Sequence, residues 1–434
     1  MNKKMDSDVA SPSPMLVDLD RANDTMSRHG IDLLVGSRDS NLYYLSGHAP
    51  DSVLNHFFDT WSAALLPHNQ DPPPCLITSE YDVAYLATHP TWMPEVRLFG
   101  SEWSSAAGLL KKISDGQGVH TELRPRLAEI YQQSLSTREA SLAKGIAAYL
   151  SQHFSGNPVT VGFDDMRLAE AVRQEFGAGL TVVDALWHFR EIRLAKTTNE
   201  IALLKQAALI NEAGVTAAME GVAEGNRWSQ MVDLYRLELA RTGAKPSGER
   251  GMLFTAGPDG GFVMDHEYVE SQHFSMGDAV ILDAISSYRL YHADIARTAV
   301  IGEPNKKQSL IYDTLLEILV EAEDAAKAGV HTSDLTDRAV KTLEGRGLER
   351  ALATLIFHPI GLRVFDYGSL EGTANGWVLE SGTVLNFEVF YRDPDVGGIH
   401  VEDSIVISQT GNSRLGALDR ALYVLYRAPV CWEC

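Results

Sequence analysis

Cysteine is scarce in this chain of 434 residues, which has only Cys75, Cys431 and Cys434. Three thiols cannot build the disulfide framework that small secreted domains depend on. Basic residues are also short, 37 Lys and Arg against 58 Asp and Glu, for a formal net charge of −21. That balance excludes nucleic acid as an expected partner, because phosphate binding needs a basic face. It does not favour an anionic membrane either, and no apolar run approaches the roughly twenty residues that span a bilayer. The opening MNKKMDSDVASPSPM has two lysines but no apolar stretch after them, so no secretory signal is expected and the cytoplasm is the default. Its Ser, Pro and Asp predict a disordered tail over residues 1–14. Cys431 and Cys434 form CWEC, the spacing of a redox or zinc half-site. A redox pair ordinarily opens a helix after a strand, whereas CWEC closes the sequence, so exposure at a frayed terminus is the expected reading.

What remains is ordinary for a globular protein, 45% hydrophobic and 22% charged, with length for two or three domains. Residues 15–190 alternate between strands and helices. An amphipathic helix around Leu19–His29 precedes the strand IDLLVGS; the run NLYYLSGH (Asn41 to His48) follows, then WSAALLP and CLITS as further strands. VTVGFDD and LTVVDA are two more, with helical stretches between, which predicts an α/β domain. A boundary falls near EIRLAKTTNE, where Thr197 and Glu200 have the spacing of a capping box and a helix should start. Over residues 191–434 the pattern changes to helices first (about Ser229 to Thr242, Ser309 to Ala328, Ser333 to Gly345) and a mainly antiparallel sheet, an α+β arrangement.

The stretch ILDAISSYRLYHADIART, residues 281–298, places two aspartates in apolar, β-branched surroundings. Ser286, Ser287 and Tyr288 read as a turn, so the segment predicts a β-hairpin. With the turn midway, Asp283 and Asp294 face each other across the strands. Burying two like charges at that range is costly unless a cation intervenes, and a metal ion is the simplest one. The alternative is a pair of solvated aspartates on a polar face.

Later strands add more ionisable groups in apolar settings: His358 in LIFHPIGL, Glu388 in VLNFEVF and Glu402 in IHVEDSIVI. Singly, each fits a hydrogen-bonded core histidine or a carboxylate paired with an arginine. One histidine and four carboxylates in the strands of one domain suit two divalent ions such as Mn, Fe, Co or Zn. Such a pair can hold a hydroxide at neutral pH and polarise a carbonyl for attack.

In the order Asp, Asp, His, Glu, Glu the chain resembles the pita-bread metallopeptidases: methionine aminopeptidase, aminopeptidase P and prolidase, with creatinase as a relative. DIART is similar to that family's SDxTRT, HPIGLRVFD to HxxGLxVHD, NFEVFY to TIEPGIY and HVEDSIVI to RIEDxVLV. NLYYLSGH resembles the NxxYLTG segment of the N-terminal domain, and the likeness runs from about residue 15 to 415. The resemblance implies a creatinase-like N-terminal domain and a pita-bread catalytic domain. It also implies that Asp283 chelates one metal, Asp294 and Glu402 bridge both, and His358 and Glu388 complete the second. Glu388 would further act as proton acceptor beside the bridging hydroxide. His266, 17 residues before Asp283, falls where these enzymes place a substrate-contacting histidine. Proteins of this type often dimerise, so a homodimer is implied as well.

Departures from the pattern surround the ligands. The family's peptidases carry histidines seven positions after and four positions before the liganding one; here those positions are Phe365 and Thr354. The arginine two residues before the last glutamate is His400, the proline after the base is Val389, and Arg363 stands where an acid is usual. Phe365 would make the pocket wall apolar, and Arg363 or His400 would receive a substrate carboxylate. The alternative is that Arg363 and His400 pair with Asp366 or Asp403. Three functions are compatible with this sequence. The first is a prolidase-like or aminopeptidase P-like hydrolase of a small C–N bond. The second acts on a small non-peptide substrate, as creatinase, ectoine hydrolase or the dimethylsulfoniopropionate lyase of this scaffold do. The third is a non-catalytic binding protein, and the complete ligand set speaks against it.

Overall fold

The structure is a computed structural model that describes residues 13–57, 60–100, 106–119, 121–248, 251–261 and 271–426. The tail expected over residues 1–14, apart from Ser13 and Pro14, lies outside the described residues, as do His266 and the CWEC cysteines. The chain divides into two compact units between Ile192 and Arg193.

The first unit opens with the helix Leu19–His29, capped by Asp18, whose carboxylate accepts the Arg21 N–H at 3.0 Å. Gly30 ends it at φ 62°, a left-handed conformation that only glycine adopts without strain. Six strands follow: β1 Leu33–Gly36, β2 Ala63–Pro67, β3 Cys75–Ser79, β4 Glu95–Phe99, β5 Val159–Phe163 and β6 Leu180–Asp184. They form one mixed sheet in the order β4-β3-β2-β1-β5-β6. β1 to β3 are fully buried, as their near-continuous apolar sequences require. Helices Leu142–His153 and Met166–Phe176 cover the sheet through Ile146, Leu150 and Val172. Most of the run Asn41 to His48 lies in the helix Asp39–Ser46, closed by Gly47 at φ 71°. Six of that helix's eight residues are buried, which erases the polar stripe that would have marked it as helical.

In the second unit the capping box is present: Thr197 accepts the Glu200 N–H and Glu200 accepts the Thr197 N–H. It starts the helix Thr198–Glu220, which is followed by the helix Trp228–Thr242. The strands are β7 Lys245–Pro246, β8 Met252–Ala256, β9 Ala279–Tyr288, β10 Tyr291–Ile301, β11 Ala353–Pro359, β12 Val384–Asp393, β13 Gly397–Ile407, β14 Asn412–Arg414 and β15 Tyr423–Leu425. The main sheet runs β11-β12-β13-β10-β9-β7, with antiparallel neighbours throughout. Gly397, at φ 87°, opens β13 so close to the Gly257 carbonyl that an added Cβ would clash with it.

Alternation along these strands sorts the residues into two faces. Val280, Leu282, Ile295 and Ala299 pack with the first helix pair, among Val215, Met231 and Tyr235. Phe357, Leu385, Phe387, Val389, Ile399 and Val401 pack with the helices Lys306–Ala325 and Thr332–Gly345. All four helices therefore claim one face of the sheet, and the residues in between are left to the other. No helix among the described residues is long and apolar enough to cross a membrane.

Candidate metal centre

The face opposite the helices carries the ionisable residues in rows fixed by strand register. In the first row Asp283 pairs with Ala296, Ala296 with Glu402, and Glu402 with Glu388. One step along each strand pair, Asp294 pairs with Ile285, Ser404 with Asn386, and Asn386 with His358. One step the other way, Thr298 pairs with Ile281, His400 with Phe390, and Phe390 with Thr354. The five residues expected as ligands are thus on one face of neighbouring strands.

The hairpin differs from its expected form in one respect. Ser286, Ser287 and Tyr288 continue β9, and the turn is Arg289-Leu290, both at positive φ (48° and 66°). Asp283 and Asp294 are consequently diagonal neighbours rather than directly opposite.

Two triads of potential ligand atoms result, each with its atoms within 4.8 Å of one another: Asp283, His400 and Glu402, and Asp294, His358 and Glu402. Glu402 is common to both. Burial, then mutual repulsion, holds Asp283, Asp294 and Glu402 well above the ordinary carboxylate range, and burial raises Glu388 as well. Burial pushes His358 down to about 4 and His400 down to about 3, so both imidazoles are neutral and have a lone pair to offer. Glu402 accepts one hydrogen bond, from the Asn386 amide at 2.6 Å. Its Oε2, Asp294 Oδ1 and His400 Nε2 are buried without a hydrogen-bond partner among the described residues. Unpartnered buried acceptors crowded among like charges fit a bound cation, and this mixture of carboxylate and imidazole suits Mn, Fe, Co or Zn.

Around the triads, Phe365 lays its ring 4.3 Å from that of His358 and is 47% exposed. Arg363 is half-buried in the loop after β11, where its carbonyl accepts the Gly361 N–H. The alternative partners proposed for His400 lie elsewhere. Asp403 faces the helix side and holds Arg297 (3.0 Å), Arg414 (3.1 Å) and Arg420 (2.5 Å). Asp366 holds Arg193 at 2.6 Å and Lys196 at 3.6 Å. His400 instead points between Asp283 (3.7 Å) and Glu402 (3.9 Å).

Two residues on this face escaped the reading of the sequence. Asn386 orients Glu402 and lies 3.3 Å from His358 Nε2. Arg392 donates to Thr354 at 2.6 Å, lies over the Phe390 ring at 4.0 Å and interacts electrostatically with Glu388. The period-two alternation Asn386, Glu388, Phe390, Arg392 was the available signal for both.

Comparison with known proteins agrees with this geometry. The profile of Metallopeptidase family M24 matches residues 202–409, and that of the Creatinase/Prolidase N-terminal domain matches residues 19–195. The Xaa-Pro dipeptidase of Pyrococcus furiosus is 29% identical over 241 residues, 54% of this chain and 66% of that protein. The chain thus spans just under two thirds of the length of that relative. The putative dipeptidase YkvY of Bacillus subtilis is 28% identical over 64% of this chain and 76% of its own. Among solved structures, the prolidase from Pyrococcus horikoshii OT3 superposes with a TM-score of 0.66 at 21% identity, covering 93% of this chain and 99% of that one. The Xaa-Pro dipeptidase from Bacillus anthracis does so with 0.71 at 19%, covering 94% and 99%. With both profiles in sequence and a sheet that gathers two aspartates, a histidine and two glutamates on one face, the chain belongs to metallopeptidase family M24, the pita-bread fold behind a creatinase-type N-terminal domain.

Proposed function

We propose that the protein is a metal-dependent hydrolase of the prolidase and aminopeptidase P kind, which cleaves the amide bond of a small substrate such as an Xaa-Pro dipeptide. The observation that carries this reading is the pair of buried triads sharing Glu402, with three polar atoms unpartnered between them. Asp283, Asp294, His358, Glu388 and Glu402 would hold two divalent ions, Mn, Fe, Co or Zn. When bound, the ions supply Lewis acidity toward the amide carbonyl and toward a water molecule.

The remaining steps belong to the chain's own side chains. Glu388, directly across from Glu402 and raised in pKa, takes the proton of the attacking water on a carboxylate oxygen and passes it to the leaving nitrogen. Phe365 packs against the pyrrolidine ring of the substrate. Arg392 receives the dipeptide's terminal carboxylate, the task first assigned to His400 or Arg363, because its guanidinium lies on the site face within electrostatic reach of Glu388. His266 keeps its assignment as a substrate-contacting residue from the family resemblance. The same resemblance supports a homodimer.

Thr354 and Phe365 favour a second reading, a small non-peptide substrate, because they replace both histidines that flank the scissile bond in the family's peptidases. One experiment tests both. The protein is equilibrated with Mn²⁺, its metal content is measured beside an Asp283→Ala/Glu402→Ala variant, and proline release is assayed on Xaa-Pro dipeptides. About two equivalents lost in the variant, with proline release lost too, is the expected result. Bound metal without proline release favours the non-peptide substrate. No bound metal after Mn²⁺ or Fe²⁺ supply refutes the hydrolase.

A further inference from the structure

We infer that His400 is a further protein ligand of the ion held by Asp283 and Glu402, so that this position presents an imidazole beside its carboxylates rather than carboxylates alone. The inference rests on the proposed metal centre and assigns a residue whose counterpart in the family motif, an arginine, cannot ligate a metal.

The side chain is 2% exposed and enters the gap between two carboxylates. Its Nδ1 lies 3.7 Å from Asp283 Oδ2 and its Nε2 lies 3.9 Å from Glu402 Oε2. Neither separation is a hydrogen bond. The Nε2–Oε2 separation is shorter than two metal–ligand bonds of about 2.1 Å laid end to end, so a single ion can touch both atoms, and one ligand atom each of Asp283, His400 and Glu402 lie within 4.8 Å of one another. His400 Nε2 and Glu402 Oε2 are both buried without a hydrogen-bond partner among the described residues. Two such atoms facing each other across 3.9 Å are left costly by the protein alone, and a shared cation resolves both.

The ring is also prepared in position. Thr298 clamps the His400 backbone twice, its hydroxyl accepting the N–H and donating to the carbonyl, each at 2.9 Å. The imidazole stacks on Phe390 at 5.0 Å with 25° between the planes. A residue waiting for a substrate carboxylate would gain from access, whereas His400 is 2% exposed and its ring nitrogens face two acids.

An imidazole at this position moves the donor set toward borderline ions such as Co²⁺ and Zn²⁺ and away from oxygen-preferring Mn²⁺. The test loads the full-length protein with Co²⁺ and counts imidazole nitrogens per ion by X-ray absorption, in the wild type and in His400→Phe and His400→Gln. Two imidazoles per two ions, falling to one in the variants, is expected. Co²⁺ affinity at one of the two sites should fall roughly tenfold or more by calorimetry, with Mn²⁺ affinity changing much less. A wild-type count of one, or a count of two that survives the substitutions, overturns the inference. Those results leave the metal centre standing, whereas a wild type that binds no Co²⁺ removes the centre and this ligand together.

Discussion

Replacing Glu402 with Gln in the metal-free protein is expected to stabilise it. Glu402 offers an oxygen within 4.8 Å of a ligand atom on Asp283 and, in the other triad, on Asp294. Two ionised carboxylates at that distance repel by about 3.5 kcal/mol at an effective dielectric of 20. Protonation limits the cost. Neutralising a carboxyl with an ordinary value near 4.3 takes about 5 kcal/mol at pH 8 and about 1 kcal/mol at pH 5. Because its folded pKa is raised, Glu402 contributes fully to stability only below its ordinary range, and the contribution is lost as pH rises through the folded value. Gln keeps the volume and still accepts the Asn386 amide that Glu402 accepts. In EDTA, urea unfolding of Glu402→Gln should therefore show a gain of about 3 kcal/mol at pH 8 and under about 1 kcal/mol at pH 5. Adding Mn²⁺ should reverse the order, since an ion at a hundred times its Kd stabilises the wild type by about 2.7 kcal/mol per site. A variant less stable than wild type in EDTA at pH 8, or one shifted equally at both pH values, would refute the repulsion argument.

Three further outcomes are expected. Arg392→Ala should lower kcat/KM for an Xaa-Pro dipeptide by roughly ten- to a hundredfold, the worth of a hydrogen bond to a charged group. The corresponding dipeptide amide should be little affected, and equal losses on both would remove Arg392 from carboxylate recognition. His48 is buried and pushed down to about 3, so its contribution is complete above about pH 6.5 and falls by about 1.4 kcal/mol per unit below it. Urea unfolding at pH 6.5 and pH 5 should show His48→Gln losing about 2 kcal/mol less than wild type, and parallel losses would contradict this. Asp366→Asn leaves Arg193 and Lys196 buried without their shared counter-charge, and should cost about 3–5 kcal/mol in the same assay; a neutral substitution would show that the trio is dispensable.

Much of the centre was legible because a strand's period of two decides which side a residue takes. Asp283, Asp294, His358, Glu388 and Glu402 each interrupt an apolar alternation, and one face of the sheet receives them all. What the sequence did not disclose depends on register between distant segments. Ala296 pairs with Glu402, 106 residues on, and only that pairing turns His400 toward Asp283. The hairpin turn was misplaced because Arg289 and Leu290 take positive φ without the Gly or Asn that ordinarily signals it, while the polar Ser286-Ser287 pair mimics one. The helix Asp39–Ser46 was missed for the opposite reason, since it is covered on nearly all sides and has no exposed stripe to betray its period.

The rows across β9 to β13 also bear on how such a centre can change over evolutionary time. Donor spacing here is inherited from the backbone, about 4.8 Å between strands and about 6.8 Å between alternate residues along one, not from any flexible loop. Each grid point is then a single codon. Substituting Phe390 or Thr354 in the outer row alters what a substrate meets, while the two rows that carry the carboxylates keep their positions. An insertion of one residue, by contrast, would turn the rest of a strand inside out and send its acids into the helix layer. A scaffold of this design can exchange substrates by point substitution, yet it tolerates almost no change of length within its five central strands.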